Sequence, residues 1–456
     1  MTMRLKSRGN GSGRRHLGIQ NRQADLVRVA GTLAVLYVHL WIAEGALRKW
    51  VPGSDGIMYL ARDAVAIGVL LFLAIAPVRA RRGQGLFWAA LLAMAVAAFA
   101  TVLVAELPLS VAVAGVRSYI SPFILPLVVF SYQPPGILQK IARAVLVWVP
   151  VQLVLGLAQS TAPPSSWINR EISGEETRFV QDGIVRITGT FTAPSGLTSF
   201  LVLAFALALS ALVGSNILSR RAGLVLLLLT GMTIAISGAR GTVLGVVVIL
   251  ILVLLHAFIN DPARSLRIAM IVSVISAAVW LLASWLLPQV LAAFVGRFEA
   301  ADRAEDTGGR LLNQTVGFLF TENLSLTGSG VGGSSIVGIA LGSGQQWVEI
   351  ESSRWVSEMG ILGILLALAR LAIGLGIAGS VILNARRHST VTVVLVAVIA
   401  PLLVFGTIGQ NPSYQGAFGV SLALLIASAL EDKRSPDSVA ANEARSKRNR
   451  RVSREA

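Results

Sequence analysis

Apolar blocks of about twenty residues recur along this chain, separated by short turns in which arginine is common. The hydrocarbon core of a bilayer takes about 20 apolar helical residues to cross, and a spanning segment must satisfy its own backbone hydrogen bonds. Blocks of this length and composition therefore predict an all-α, polytopic transmembrane helical bundle. A chain of 456 residues could otherwise hold two or three soluble domains, but a mean hydropathy of +0.72 with 14% charged residues excludes that. The net charge of +16 at first suggests nucleic acid. The basic residues instead sit at alternate ends of the apolar blocks, as the positive-inside rule expects, so no nucleic-acid partner is predicted. Zero cysteines exclude disulfides, thiolate chemistry and cysteine-held metal.

The blocks predict about twelve spans. They fall near 27–46, 57–77, 85–105, 111–132, 142–159, 195–214, 222–236, 242–258, 268–286, 356–383, 390–408 and 417–430. Residues 1–26 form a basic tail with no cleavable-leader pattern, and 431–456 a charged one. With the N-terminus cytoplasmic, the turns at Arg79–Arg82, Lys140/Arg143, Arg220/Arg221, Arg264/Arg267 and Arg386/Arg387 and the C-terminal tail all fall inside. The polar loop 161–191, broken by Pro163-Pro164, and the long loop 287–355 fall outside. The long loop keeps Phe318, Phe320, Trp347 and Trp355, which predicts a folded cap and not a solvated linker.

On this topology the basic residues on the outer side are the exceptions. They are Arg48, Lys49, Arg117, Arg186, Arg240, Arg310 and Arg354. An arginine at the end of an apolar span needs a partner, and its planar fork matches phosphate or carboxylate oxygens. Several facing one outer cavity would hold a lipid-borne polyanion, and a polyprenyl diphosphate has that chemistry. Each also has a plainer reading. Arg48 and Lys49 beside Trp50 could anchor the interface; Arg117, Arg240 and Arg310 could be structural ion pairs. Arg370 lies inside a span and should face the bundle interior, as a structural partner or as the floor of a cavity.

Glu351, Arg354 and Glu358 share one helical face. Glu349 or Glu351 could take the proton of an attacking hydroxyl as a general base, or could simply hold Arg354. Asp302, Glu305 and Asp306 read as a solvated acidic face, and His39 as a bundle hydrogen-bonder. The glycine-rich 328–333 follows no clear strand, so it is not a phosphate loop by itself. No metal site and no cofactor are predicted.

Four segments in order carry a resemblance. Arg186-Ile-Thr-Gly-Thr-Phe-Thr-Ala-Pro-Ser-Gly196 enters a span, and Ser237-Gly-Ala-Arg240-Gly makes a sharp turn. Arg310 is followed by Leu326-Thr-Gly-Ser-Gly-Val-Gly332, and Glu358-Met-Gly-Ile-Leu-Gly363 opens the next span. Together they resemble the O-antigen polymerase and O-antigen ligase family over roughly residues 180–365, and Glu44-Gly-Ala-Leu-Arg-Lys-Trp50 is similar to a pattern in its polysaccharide-polymerase members. The resemblance implies a metal-independent glycosyltransferase of the bacterial inner membrane. Its donor would be an undecaprenyl-diphosphate-linked glycan, with membrane lipid and other polysaccharide-assembly membrane proteins as partners. Arg48, Arg117, Arg186, Arg240, Arg310 and Arg354 would hold the diphosphate. Ligases of the family carry a histidine before the E-x-G segment; here that region holds Glu349, Glu351 and Ser352, which favours O-antigen or exopolysaccharide polymerisation over ligation to lipid A core or protein. A transporter is the alternative of another class. Against it, the middle connection near Arg220 is short, the longest loop is an outer one, and charges mostly avoid the mid-membrane, with Arg370 the exception.

Overall fold

The structure, a computed structural model, describes residues 11–58 and 105–434 apart from 173, 182, 305, 306 and 321–324, with scattered positions between 59 and 104. Among them are nine helices long and apolar enough to cross a membrane, and one shorter apolar helix, Thr390–Val404. The chain is a multi-pass helical membrane protein. These ten segments fall on ten of the expected spans. The other two, near 57–77 and 85–105, lie largely outside the described residues, as do Arg79–Arg82.

The elements in order are α1 Gly11–Trp50, α2 Leu109–Tyr132, α3 Ile137–Leu146, α4 Val149–Thr161, a two-residue hairpin of β1 Val180–Gln181 and β2 Ile184–Val185, α5 Pro194–Val213, α6 Arg220–Ser237 and α7 Arg240–Asn260. Then come α8 Pro262–Leu286, α9 Pro288–Ala304, α10 Thr307–Val316, α11 Ile336–Ala340, α12 Glu351–Met359, α13 Ile361–Leu383, α14 Thr390–Val404 and α15 Pro412–Arg434. The breaks have local causes. Pro150 has no N–H to give Leu146, so α3 and α4 meet at a turn inside a single span. Gly214 and Gly238 end α5 and α6 with φ of 109° and 59°, a region in which glycine has no Cβ penalty. Ser219, Asp261 and Ser389 cap α6, α8 and α14 by accepting from Ala222, Ala263 and Thr392 N–H groups.

Helix α5 is the hub, with 72% of its apolar stretch buried, whereas α8 buries 11% and presents Leu281 and Trp285 outward as a lipid-facing helix does. Helix α5 packs on α6, α7, α14 and α15, and α15 packs on α2. Trp41 joins α1 to this core. It is 1% exposed, stacks near Phe191 and Phe200 at 5.8 and 6.3 Å, and donates Nε1–H to Ser413 O at 2.9 Å. Lipid tails are as apolar as leucine, so such close packing and buried hydrogen bonds hold the helices together, more than expulsion of apolar surface from water.

Two expectations about the spans sharpen here. The segment expected as a helix over 390–408 stops at Val404, three residues after Pro401. Its last carbonyls would be orphaned at membrane depth, roughly 14 Å along α13 from Ile361. Arg370 answers them: Nε donates to Leu403 O and Nη2 to Leu402 O, both at 2.8 Å, and Nη2 also to Gly406 O. A cation at a helix C-terminus is favourable electrostatically as well. Arg370 is therefore a structural partner, with its guanidinium 5.3 Å from the Trp355 ring. The long loop holds α9, α10, α11 and α12, so its described parts are folded.

Candidate functional site

The helix ends at one face of the bundle carry the predicted residues, in two constellations. In the first, the segment Arg186–Gly196 is pinned over the C-terminal end of α1. Lys49 Nζ donates to Thr188 Oγ1 and Gly189 O, each at 2.9 Å. Gln159 Oε1 accepts from the Thr188 and Gly189 N–H groups at 3.0 and 2.8 Å, and Gln152 Nε2 donates to Thr190 Oγ1 at 2.6 Å. Gly45 lets the two backbones meet, since a Cβ there would lie 2.5 Å from Thr190 O. Lys49 is thus a strut, not only an interfacial anchor.

This pinning presents Arg186 directly after β2, where its N–H donates to Phe179 O at 2.7 Å. Its Nε is buried with no hydrogen-bond partner. Burial, then the positive charge of Arg240, pushes the Arg186 guanidinium below its ordinary value. The two guanidinium groups, 54 positions apart in sequence, are therefore close enough to repel (240 − 186 = 54). One of them stands at a helix start and the other leads into one. Arg240 opens α7, and Pro194 opens α5 eight residues after Arg186; neither helix has a side-chain cap. The starts lie side by side, because a Cβ on Gly241 would sit 3.8 Å from Thr198 Cγ2. Two uncapped helix N-termini and two arginines concentrate positive potential that an anion would relieve.

The second constellation is buried. Arg354 on α12 is 1% exposed, with Glu351 Oε1 at 3.6 Å and Glu358 Oε1 at 4.0 Å. Its three guanidinium nitrogens are buried, and the two carboxylates hold it from either side. The Tyr119 ring lies 5.5 Å from the guanidinium, and Tyr119 donates its hydroxyl hydrogen to Glu358 Oε2 at 2.8 Å. The Gly332 and Ser334 backbones also hydrogen-bond to Glu358. Burial still pushes the Glu358 carboxyl up, against the pull of Arg354 and of these donors.

The glycine-rich 328–333, with Ser334 after it, is the bracket that delivers these amides. Ser329 N–H donates to Ser357 O at 2.8 Å, and Gly330 N–H to Glu358 O at 3.0 Å. Gly332 has a φ of +87°, and a Cβ there would lie 2.6 Å from Val111 O. The segment wraps a carboxylate and the helix α2; it makes no phosphate cradle.

Segment 406–416 links the two constellations. Glu351 accepts from Gly409 N–H at 2.8 Å and from Ile408 N–H. At the other end Tyr414 is hydrogen-bonded to Ser195, and a Cβ on Gly196 would lie 2.9 Å from Ser413. Between them Gln415 Nε2 donates to Gly409 O at 3.0 Å.

Several of the remaining predicted residues have partners of their own. Arg48 binds Asp55 at 2.7 Å and Glu44 at 3.2 Å, so its charge is met by carboxylates. Arg117 is half-buried on α2 and already partnered. Arg310 and Glu349 face each other at 3.5 Å with both side chains more than half exposed. His39 Nδ1 accepts from Trp148 Nε1 at 2.9 Å, as a bundle hydrogen-bonder should. The side chains of Asp302, Glu305 and Asp306 lie outside the described ones. Among the described residues there is no group of acidic or histidine side chains able to hold a metal ion.

Sequence reasoning missed three contributors: Tyr119, the pair Gln152 and Gln159, and segment 406–416. The glutamines had a signal, being amides seven residues apart on one face of an otherwise apolar span. Tyr119 had none, because its partner Glu358 is 239 positions away. The chain matches no family model and no curated protein.

Proposed function

We propose that this protein is a membrane glycosyltransferase that polymerises repeat units carried on a polyprenyl diphosphate. The observation that carries the reading is the Arg186–Arg240 pair, with Arg240 opening one uncapped helix and Arg186 leading into another. Like charges held together cost free energy unless an anion of matching geometry sits between them. A diphosphate at the end of a lipid tail has the charge, and it arrives at the depth where spans end. The order of the motifs described above supports the same reading.

In the proposed reaction the acceptor's hydroxyl oxygen bonds to the donor's anomeric carbon. The bond from that carbon to the diphosphate oxygen breaks, and the electron pair leaves with the diphosphate. Arg186, Arg240 and the N–H groups opening α5 and α7 stabilise the charge that develops. The hydroxyl proton passes to Glu349, an accessible carboxylate poised by Arg310. Glu351 has both oxygens engaged by backbone N–H groups and Arg354, so it positions segment 406–416 and does not act as the base.

The test is complementation of a strain lacking this protein, read as a glycan ladder with protein amounts checked by blot. Arg186→Ala and Arg240→Ala should abolish long chains while single repeat units still reach the final acceptor. Carrier-linked polymer accumulating without transfer would indicate a ligase instead. Normal ladders from both well-expressed variants would overturn the reading and revive transport.

A further inference from the structure

On the opposite face of the bundle lies a polar cavity of about 260 Å³. It opens where α5 ends, α7 ends, α8 begins and α14 begins, with Val213, His256, Asn260, Arg264, His388 and Thr390 in its wall. Helix ends of a bundle mark the depth of the headgroup region. We infer that this cavity binds the phosphate headgroup of an anionic glycerophospholipid.

The cavity is built, and Arg264 gives its wall a positive charge. Arg264 Nη2 donates to Val213 O at 3.1 Å, which fixes the guanidinium at the wall. His256 Nε2 lies 3.0 Å from Ala385 O and 3.2 Å from His388 O. Carbonyl oxygens only accept, so Nε2 carries the hydrogen and any further proton goes to Nδ1. Arg386 and Arg387 are exposed on the 3₁₀ turn Ala385–Arg387, immediately before His388. The nearby carboxylates are committed elsewhere. Asp261 caps α8 at Ala263 N–H and pairs with Arg267 at 3.7 Å. Asp432 accepts from Ser389 N–H at 3.1 Å and Thr392 Oγ1 at 2.8 Å. Neither lines the cavity. Basic pockets between helices at headgroup depth attract lipid phosphates, and the volume admits a headgroup as well as water. This inference does not depend on the reaction proposed at the other face.

The experiment is native mass spectrometry of the full chain, purified and exchanged into nanodiscs of phosphatidylglycerol or phosphatidylcholine. Wild type should retain one phosphatidylglycerol preferentially. Arg264→Gln should cut that retention by about fivefold and His388→Gln should lower it by less, and Arg267→Gln should leave it unchanged. If Arg264→Gln fails to fold, His388→Gln and Thr390→Val carry the test. Equal retention of both lipids overturns the proposal. So does an equal loss in Arg267→Gln, which would mean diffuse surface charge. Inorganic phosphate bound with no preference between the lipids overturns the lipid as the source.

Discussion

Arg186 and Arg354 are the same residue type at the same face of one bundle, yet their surroundings oppose each other. Arg354 is shut in, with Glu351, Glu358 and the Tyr119 ring around it. Arg186 is set against a second cation, with a buried Nε that has no hydrogen-bond partner. One is a buried ion lock; at the other, the charge of Arg240 works against that of Arg186. Conserving charge type alone would not separate them. What separates them is the sign of the charge that the fold sets beside each.

The largest effect should come from breaking the lock. Arg354→Ala leaves two buried carboxylates facing each other and should cost about 3–5 kcal/mol, read as a large fall in melting temperature in detergent. An unchanged melting temperature would dissolve the contrast. Next, Arg240→Ala should lower chain elongation from a purified lipid-linked repeat unit by about 10²–10³-fold. A collapse in its melting temperature would instead make Arg240 a structural residue like Arg354.

Tyr119→Phe keeps the ring over Arg354 and deletes the hydrogen bond to Glu358. A loss of about 1.5–3 kcal/mol is expected, with elongation by the folded fraction intact. The pH dependence of the lock has a definite sign. The Glu358 carboxyl is raised from 4.5, so the folded state binds the proton more tightly than the unfolded state. Its stability contribution is full below 4.5 and is lost as pH rises toward the folded value. Urea midpoints measured from pH 4 upward should fall more steeply for wild type than for Glu358→Gln. The smallest stability effect belongs to Arg310→Ala, within about 0.5 kcal/mol, since an exposed pair is screened by solvent. Glu349→Gln should likewise leave stability alone while slowing elongation by about 10²-fold; wild-type elongation would remove Glu349 from the chemistry.

The helical bundle and the membrane were legible in the sequence, because span length follows from bilayer thickness and every apolar block declares itself. The turn at Ser237–Gly241 and the folded nature of the cap were legible too, from glycine placement and retained aromatics. The list of outer arginines contained both constellations. Helical spacing offered Glu351 and Glu358 to Arg354, but nothing in the list set Arg186 beside Arg240 or showed which charges are buried. Glu358 meets Tyr119 across 239 positions, and Lys49 meets Thr188 across 139. Local pattern did find that Glu351, Arg354 and Glu358 share a face, because helical spacing is a short-range property. That this face is buried, that the bracket 328–333 closes over it, and that Arg370 serves the early end of α14 were decided by tertiary packing. Apolar periodicity states which segments enter the membrane; only the packed bundle states which charges find a partner there.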